Sequence, residues 1–94
     1  MFYLYIIYSS QIDKFYIGSS HNLEERILKH NNHVYENAYT KAANDWEYML
    51  NLKCNNKAEA QFLERFIKKM KSKVFIKKVI QNPDILKDIL RQRF

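Results

Sequence analysis

Phe2-Tyr3-Leu4-Tyr5-Ile6-Ile7-Tyr8 is the stretch on which the fold turns: seven aromatic or branched aliphatic residues in a row. Such residues suit a pleated, extended backbone. Alternation puts Phe2, Leu4, Ile6 and Tyr8 on one face and Tyr3, Tyr5 and Ile7 on the other. Both faces are apolar, so the strand has to be covered on two sides. The stretch is too short and too rich in tyrosine to cross a bilayer. It also lacks a basic leader and a small-residue cleavage site, so it reads as a strand and not a signal peptide or membrane span.

Working outward, Ser9–Lys14 is polar and turn-like, and Phe15–Ile17 returns as a shorter second strand, which makes a β-hairpin. Gly18 ends that strand, and Ser19-Ser20-His21 leads into a helix. Asn22, three residues before Glu25, reads as a capping box for a helix over Leu23–Asn31. Residues 31–45 lack periodicity and read as a loop. Trp46–Cys54 alternates as a third strand. Lys57–Lys71 is an amphipathic helix with Ala58, Phe62, Leu63, Phe66, Ile67 and Met70 on one broad face. Val74–Ile80 reads as a short helix, and Asn82-Pro83 opens a last one through Arg91. The order β-β-α-β-α-α predicts an α+β fold, a three-stranded, mostly antiparallel sheet flanked by helices, in a single domain over residues 1–94.

Ninety-four residues lie near the lower limit for a core without staples, and 47% hydrophobic residues suffice to build one. The single cysteine, Cys54, excludes an internal disulfide and a cysteine-based zinc site, and it reads as core. The expected setting is intracellular, cytoplasmic or nuclear, with no membrane. A net charge of +6 points to a polyanionic partner, although lysine-rich coding alone produces the same excess. The lysines Lys68, Lys69, Lys71, Lys73, Lys77 and Lys78 either track a nucleic-acid backbone or form a solvated face.

Three placements stand out as chemistry. At 100° per residue, Leu23, Arg26, Ile27 and His30 share the wedge of the first helix that faces the sheet. A cation there needs a partner or a task, unless the arginine snorkels to water from the edge of the stripe. Tyr5 and Tyr16 lie on the two hairpin strands, where they can approach each other. Tyr16 also precedes Gly18, the only glycine, where the backbone can admit a ligand closely; a cross-strand aromatic pair that steadies the hairpin is the simpler reading. In the long helix, Glu64 sits at the margin of the apolar face and Glu59 nearer its middle, in the first turn. Either carboxylate could hold a hard cation, and geometry leaves the two nearly tied.

Tyr3-Leu4-Tyr5, Phe15-Tyr16-Ile17-Gly18, Arg26 with His30, and Glu64 within Ala60–Lys68 together resemble the GIY-YIG nuclease family. The first element is degenerate, since Tyr3-Leu4-Tyr5 stands for Gly-Ile-Tyr, while Tyr16-Ile17-Gly18 is intact. Asn22-Leu23-Glu24-Glu25-Arg26, Tyr39-Thr40-Lys41 and Trp46–Leu50 add to the likeness, which covers roughly residues 2–80 and is that of a small stand-alone member.

The resemblance implies hydrolysis of DNA phosphodiester bonds with one divalent metal, Mg²⁺ or Mn²⁺. It assigns the metal to Glu64 and the scissile phosphate to Arg26. One of Tyr5 and Tyr16 then helps deprotonate the attacking water while the other orients metal-bound water, and His30 assists proton transfer or contacts phosphate. Tyrosine, with an unperturbed pKa near 10, acts as a base at neutral pH only beside cations. Lys41, Lys68 and Lys73 are candidate contacts to the DNA backbone. The expected substrate is DNA in branched, nicked or damaged forms, with specificity supplied by self-association or a partner subunit. The alternative is a non-catalytic nucleic-acid-binding module of the same fold.

Overall fold

A computed structural model describes residues 1–32 and 43–93. The loop expected over 31–45, and Lys41 within it, fall largely outside these residues. Strands β1 (Phe2–Ser9) and β2 (Lys14–Ser20) form the hairpin, helix α1 (Leu23–Asn31) follows, and β3 (Glu47–Cys54) completes the sheet. Helices α2 (Lys57–Met70), α3 (Lys73–Gln81) and α4 (Asp84–Arg93) close the described chain. The stretch expected as a short helix is a nine-residue one capped by Ser72, and counted as a full helix it makes the element order β-β-α-β-α-α-α.

The sheet order is β2-β1-β3, antiparallel throughout, with β1 in the middle. That position follows from the two apolar faces of β1. On one side, Leu4 and Ile6 pack with Ile17, Leu52, Leu63, Ile67, Val79 and Leu86 beneath α2, α3 and α4. On the other, Tyr5 and Ile7 pack with Ala43 and Trp46, against which Leu23 and Ile27 of α1 are seated. Cys54 is a core residue, as expected, and Trp46 is buried as well.

The caps follow the sequence. Asn22 accepts a hydrogen bond from the Glu25 backbone at the start of α1, and Asn56 does the same for Glu59 in α2. Lys71 ends α2 in the left-handed conformation. Two devices tie the start of β3 to its neighbours. The Asn31 amide donates to the Trp46 carbonyl at 3.0 Å and accepts from its N–H at 2.7 Å, like a short strand pairing. The Asp45 carboxylate accepts from the Ser9 and Ser10 hydroxyls and the Gln11 N–H.

Two expectations are corrected. Ala58 and Met70 were placed on the buried face of α2, but both are exposed, in the first and last turns of the helix. Gly18 does not end β2, which runs on to Ser20. Gly18 stands opposite Tyr5 in the ladder, and a Cβ there would fall on the Tyr5 hydroxyl and 2.5 Å from its Cζ. The space that a missing side chain leaves is filled by the Tyr5 ring and not by a ligand.

Tyr5 is fully buried and cannot swing aside cheaply. Gly18→Ala is therefore expected to cost about 1–3 kcal/mol through overpacking. Thermal unfolding checks this, since each kcal/mol is worth about 4–8 °C in a domain of this size. An unchanged melting temperature would mean that the ring does not need the space.

Candidate functional site

Strand parity decides which side chains can meet. Tyr5, Ile7, Tyr16 and Gly18 point to the α1 face, because Tyr5 pairs with Gly18 and Ile7 with Tyr16. Leu4, Ile17 and Ser19 point to the α2 face.

On the α1 face, His30 is the hub. Its Nε2 lies 2.8 Å from the Tyr5 hydroxyl, and its ring centroid lies 5.9 Å from that of Tyr5 and 5.1 Å from that of Tyr16. The Tyr48 ring meets Tyr5 edge-on, and its hydroxyl donates to the Leu23 carbonyl, fixing the start of α1 against the sheet. His30 is 2% exposed. Burial and the positive charge of Arg26, one turn earlier on α1, push its pKa down from 6.5 to about 4. At neutral pH the imidazole is therefore uncharged, with one nitrogen donating a hydrogen bond and the other able to accept one. The sheet-facing wedge read from the helical period is thus real: Leu23 and Ile27 pack, His30 is buried, and Arg26 is half-buried at its margin. Arg26 lines a small cleft with Ser20, His21, Asn22, Glu25 and Lys29 at the first turns of α1.

On the α2 face, the two acids have different partners. Glu59 accepts a hydrogen bond from the Asn55 N–H at 2.9 Å and serves the helix start. Glu64 accepts from the Ser19 hydroxyl at 2.8 Å and from the Lys68 ammonium at 2.7 Å, with its side chain 22% exposed. The five residues singled out in the sequence therefore divide between the two faces. Tyr5, Tyr16, Arg26 and His30 lie on one, and Glu64 on the other. Lys68 spans the gap at the β2 edge, where its ammonium also sits 5.2 Å from the centroid of the Tyr16 ring. The resulting chain of contacts runs from Ser19 and Glu64 through Lys68 to Tyr16, then to His30 and Tyr5.

The contact of Ser19 with Glu64 was not foreseen, and Lys68 was foreseen only as a contact to a DNA backbone. Parity along β2 carries the signal for Ser19, since a polar residue two places after Ile17 faces α2. The i, i+4 spacing of Glu64 and Lys68 carries the signal for the ion pair. Lys73 lies farther along, paired with Asp13 at 3.0 Å.

The fold is that of a small α+β domain with a polar, tyrosine-bearing sheet edge. A family model described as the GIY-YIG catalytic domain matches residues 1–78. The chain belongs to the GIY-YIG family, a family of nucleases that act on DNA. α4 lies beyond the matched residues, yet its Leu86 is buried in the same core as β1 and α2. Neither the comparison with curated proteins nor that with solved structures yields a match. Among the described residues, no helix is long and apolar enough to cross a membrane.

The depressed His30 pKa has a sign that can be checked. Below pH 6.5 the unfolded chain binds a proton at residue 30, and the folded chain does so only near pH 4. Stability from this group is full above pH 6.5 and falls on the order of 3 kcal/mol as the pH drops to about 4. Urea unfolding of the wild type and His30→Gln at several pH values measures it. The substitution is expected to flatten the slope across this window, and equal slopes would mean that His30 titrates normally.

Proposed function

We propose that this protein is a divalent-metal-dependent endonuclease that hydrolyses DNA phosphodiester bonds at the β2 edge. The observation that supports this most is the contact chain from Glu64 to Tyr5, which links a carboxylate, an ammonium, two phenols and a neutral imidazole.

Among the described residues no three His, Cys, Asp or Glu side chains gather to hold a metal, so Glu64 would hold a hard cation alone, with water and substrate phosphate completing its oxygen ligands. Mg²⁺ and Mn²⁺ take oxygen ligands, and Mg²⁺ commonly keeps several waters with one or two carboxylates and substrate phosphate. The Glu64 carboxylate is partly exposed, and the Ser19 hydroxyl fixes one of its oxygens. Lys68 is bonded to the other oxygen and shares it or yields it to a cation. When bound, the cation supplies Lewis-acid polarisation of the scissile phosphate.

The remaining roles fall to the chain's own side chains. Arg26, at the half-buried margin of α1, holds the phosphate through its planar fork of donors and offsets the charge that develops in the transition state. Tyr16 is the more exposed of the two tyrosines and meets the attacking water. Tyr5 is 1% exposed, too enclosed for that task, and holds the His30 ring in place. His30 is equally enclosed, so its part is to accept or relay a proton and not to touch phosphate. Together, positioning and charge stabilisation have to supply on the order of 15–20 kcal/mol against a very slow uncatalysed reaction.

The test incubates purified protein with supercoiled, nicked, flap and branched DNA in Mg²⁺, in Mn²⁺ and in chelator. Cleavage should require the metal. Arg26→Ala should lower the rate about 10²–10³-fold, the cost of losing one transition-state donor. Glu64→Ala should abolish cleavage while DNA affinity in chelator falls less than tenfold, and Tyr16→Phe should harm the rate more than Tyr5→Phe at equal fraction folded. Tight binding without cleavage of any substrate would instead favour a non-catalytic module of the same fold. Chelator-insensitive cleavage shared by the wild type and every variant would mean a contaminant.

A further inference from the structure

Between the β1–β2 turn and the α2–α3 junction lies an open groove of about 460 Å³, within the range of roughly 300–1,000 Å³ that small-molecule pockets occupy. Phe15, Ile17, Ile67 and Ile76 form its apolar floor, and Lys14, Lys68, Lys71 and Lys73 stand around it with a single acid, Asp13. The Lys73 ammonium is held by Asp13 and lies 5.9 Å from the centroid of the Phe15 ring. Among the described residues, neither Lys14 nor Lys71 forms an ion pair. One end of the groove is Lys68, the residue that also touches Glu64 and Tyr16.

We propose that this groove holds an unpaired segment of the DNA strand beside the cleavage site, with one base against the Phe15 floor and its flanking phosphates on Lys14 and Lys71. The inference rests on the nuclease reading and narrows the substrate class to DNA with a single-stranded tail or flap. Lys73 is offset by Asp13 and Lys68 by Glu64, so Lys14 and Lys71 are the excess positive charge, and that excess favours a polyanion. An aromatic and aliphatic floor favours an exposed base, which a closed duplex does not offer; base stacking on aromatic side chains beside a positive track is how sequence-tolerant single-strand sites are built. Continuity through Lys68 puts the bound segment next to the Glu64 carboxylate.

The experiment measures, in chelator, the affinity of the full chain for three labelled probes: a twelve-nucleotide oligothymidylate, the same length of abasic sugar-phosphate, and a blunt duplex. The wild type should bind oligothymidylate at least about fivefold more tightly than the abasic strand. Lys14→Gln/Lys71→Gln should weaken oligothymidylate about tenfold and flatten its salt dependence by about 1.4, two phosphate contacts at roughly 0.7 each on a single strand. The blunt duplex should change less than twofold. Phe15→Leu, which keeps an apolar floor but removes the ring, should lower oligothymidylate affinity and leave the abasic strand unchanged. Equal wild-type affinity for the abasic and thymidine strands, or equal losses for single strand and duplex in the lysine variant, would overturn the proposal. Because binding is read without metal, it separates from cleavage. Base-dependent binding with no cleavage of any DNA sinks the nuclease reading and keeps the groove, while metal-dependent cleavage without base-dependent binding does the reverse.

Discussion

Burial of β1 on both faces is the constraint from which the rest of the molecule follows. A strand carrying Leu4 and Ile6 on one side and Tyr5 and Ile7 on the other cannot sit at a sheet edge with a wet face. It takes the centre, β2 and β3 take its flanks, and helices cover both surfaces. In a chain this small, the double burial matters energetically, because each fully buried large apolar side chain contributes roughly 1.5–3 kcal/mol against a net stability of about 5–15 kcal/mol. The same constraint separates the functional side chains. Residues on opposite faces of a sheet meet only around an open edge, and the β2 edge is where Lys68 passes from Glu64 to Tyr16.

The buried polar groups are kept in register by the same packing. A tyrosine hydroxyl and an imidazole with almost no water access have to satisfy each other, and at 2.8 Å Tyr5 and His30 do. Gly18 makes this possible by leaving the volume that the Tyr5 ring occupies. Burial also keeps His30 uncharged beside Arg26. The polar network thus depends on one small residue in an outer strand, and the central strand depends on that network to place a tyrosine in its core.

Much of this could be read from the chain. The two-faced pattern of Phe2–Tyr8 gave a strand covered on both sides, and Asn22, Asn82-Pro83 and the helical period gave the helix boundaries to within a residue or two. The wedge of Leu23, Arg26, Ile27 and His30 placed α1 with the correct face inward. Other features depend on pairing across the sheet, which a single strand does not encode. Gly18 reads locally as a terminator, and only its register opposite Tyr5 reveals it as a space-maker. Glu59 and Glu64 could not be separated by helical position, because what distinguishes them is the Asn55 backbone on one side and the Ser19 hydroxyl on the other. Ala58 and Met70 follow the period of the buried face, yet both are exposed, in the first and last turns of the helix.

The proposal that the β2 edge would hold a divalent ion turns on which carboxylate attracts it. Mn²⁺ titrated into isotopically labelled protein, with amide signals followed by NMR, reads this directly because a bound paramagnetic ion broadens its neighbours first. The expected result is early loss of the signals of Ser19, Glu64 and Lys68, then Tyr16, with none of it in Glu64→Gln. Broadening centred on Asn55 and Glu59, or a pattern unchanged by substitution at residue 64, would contradict it.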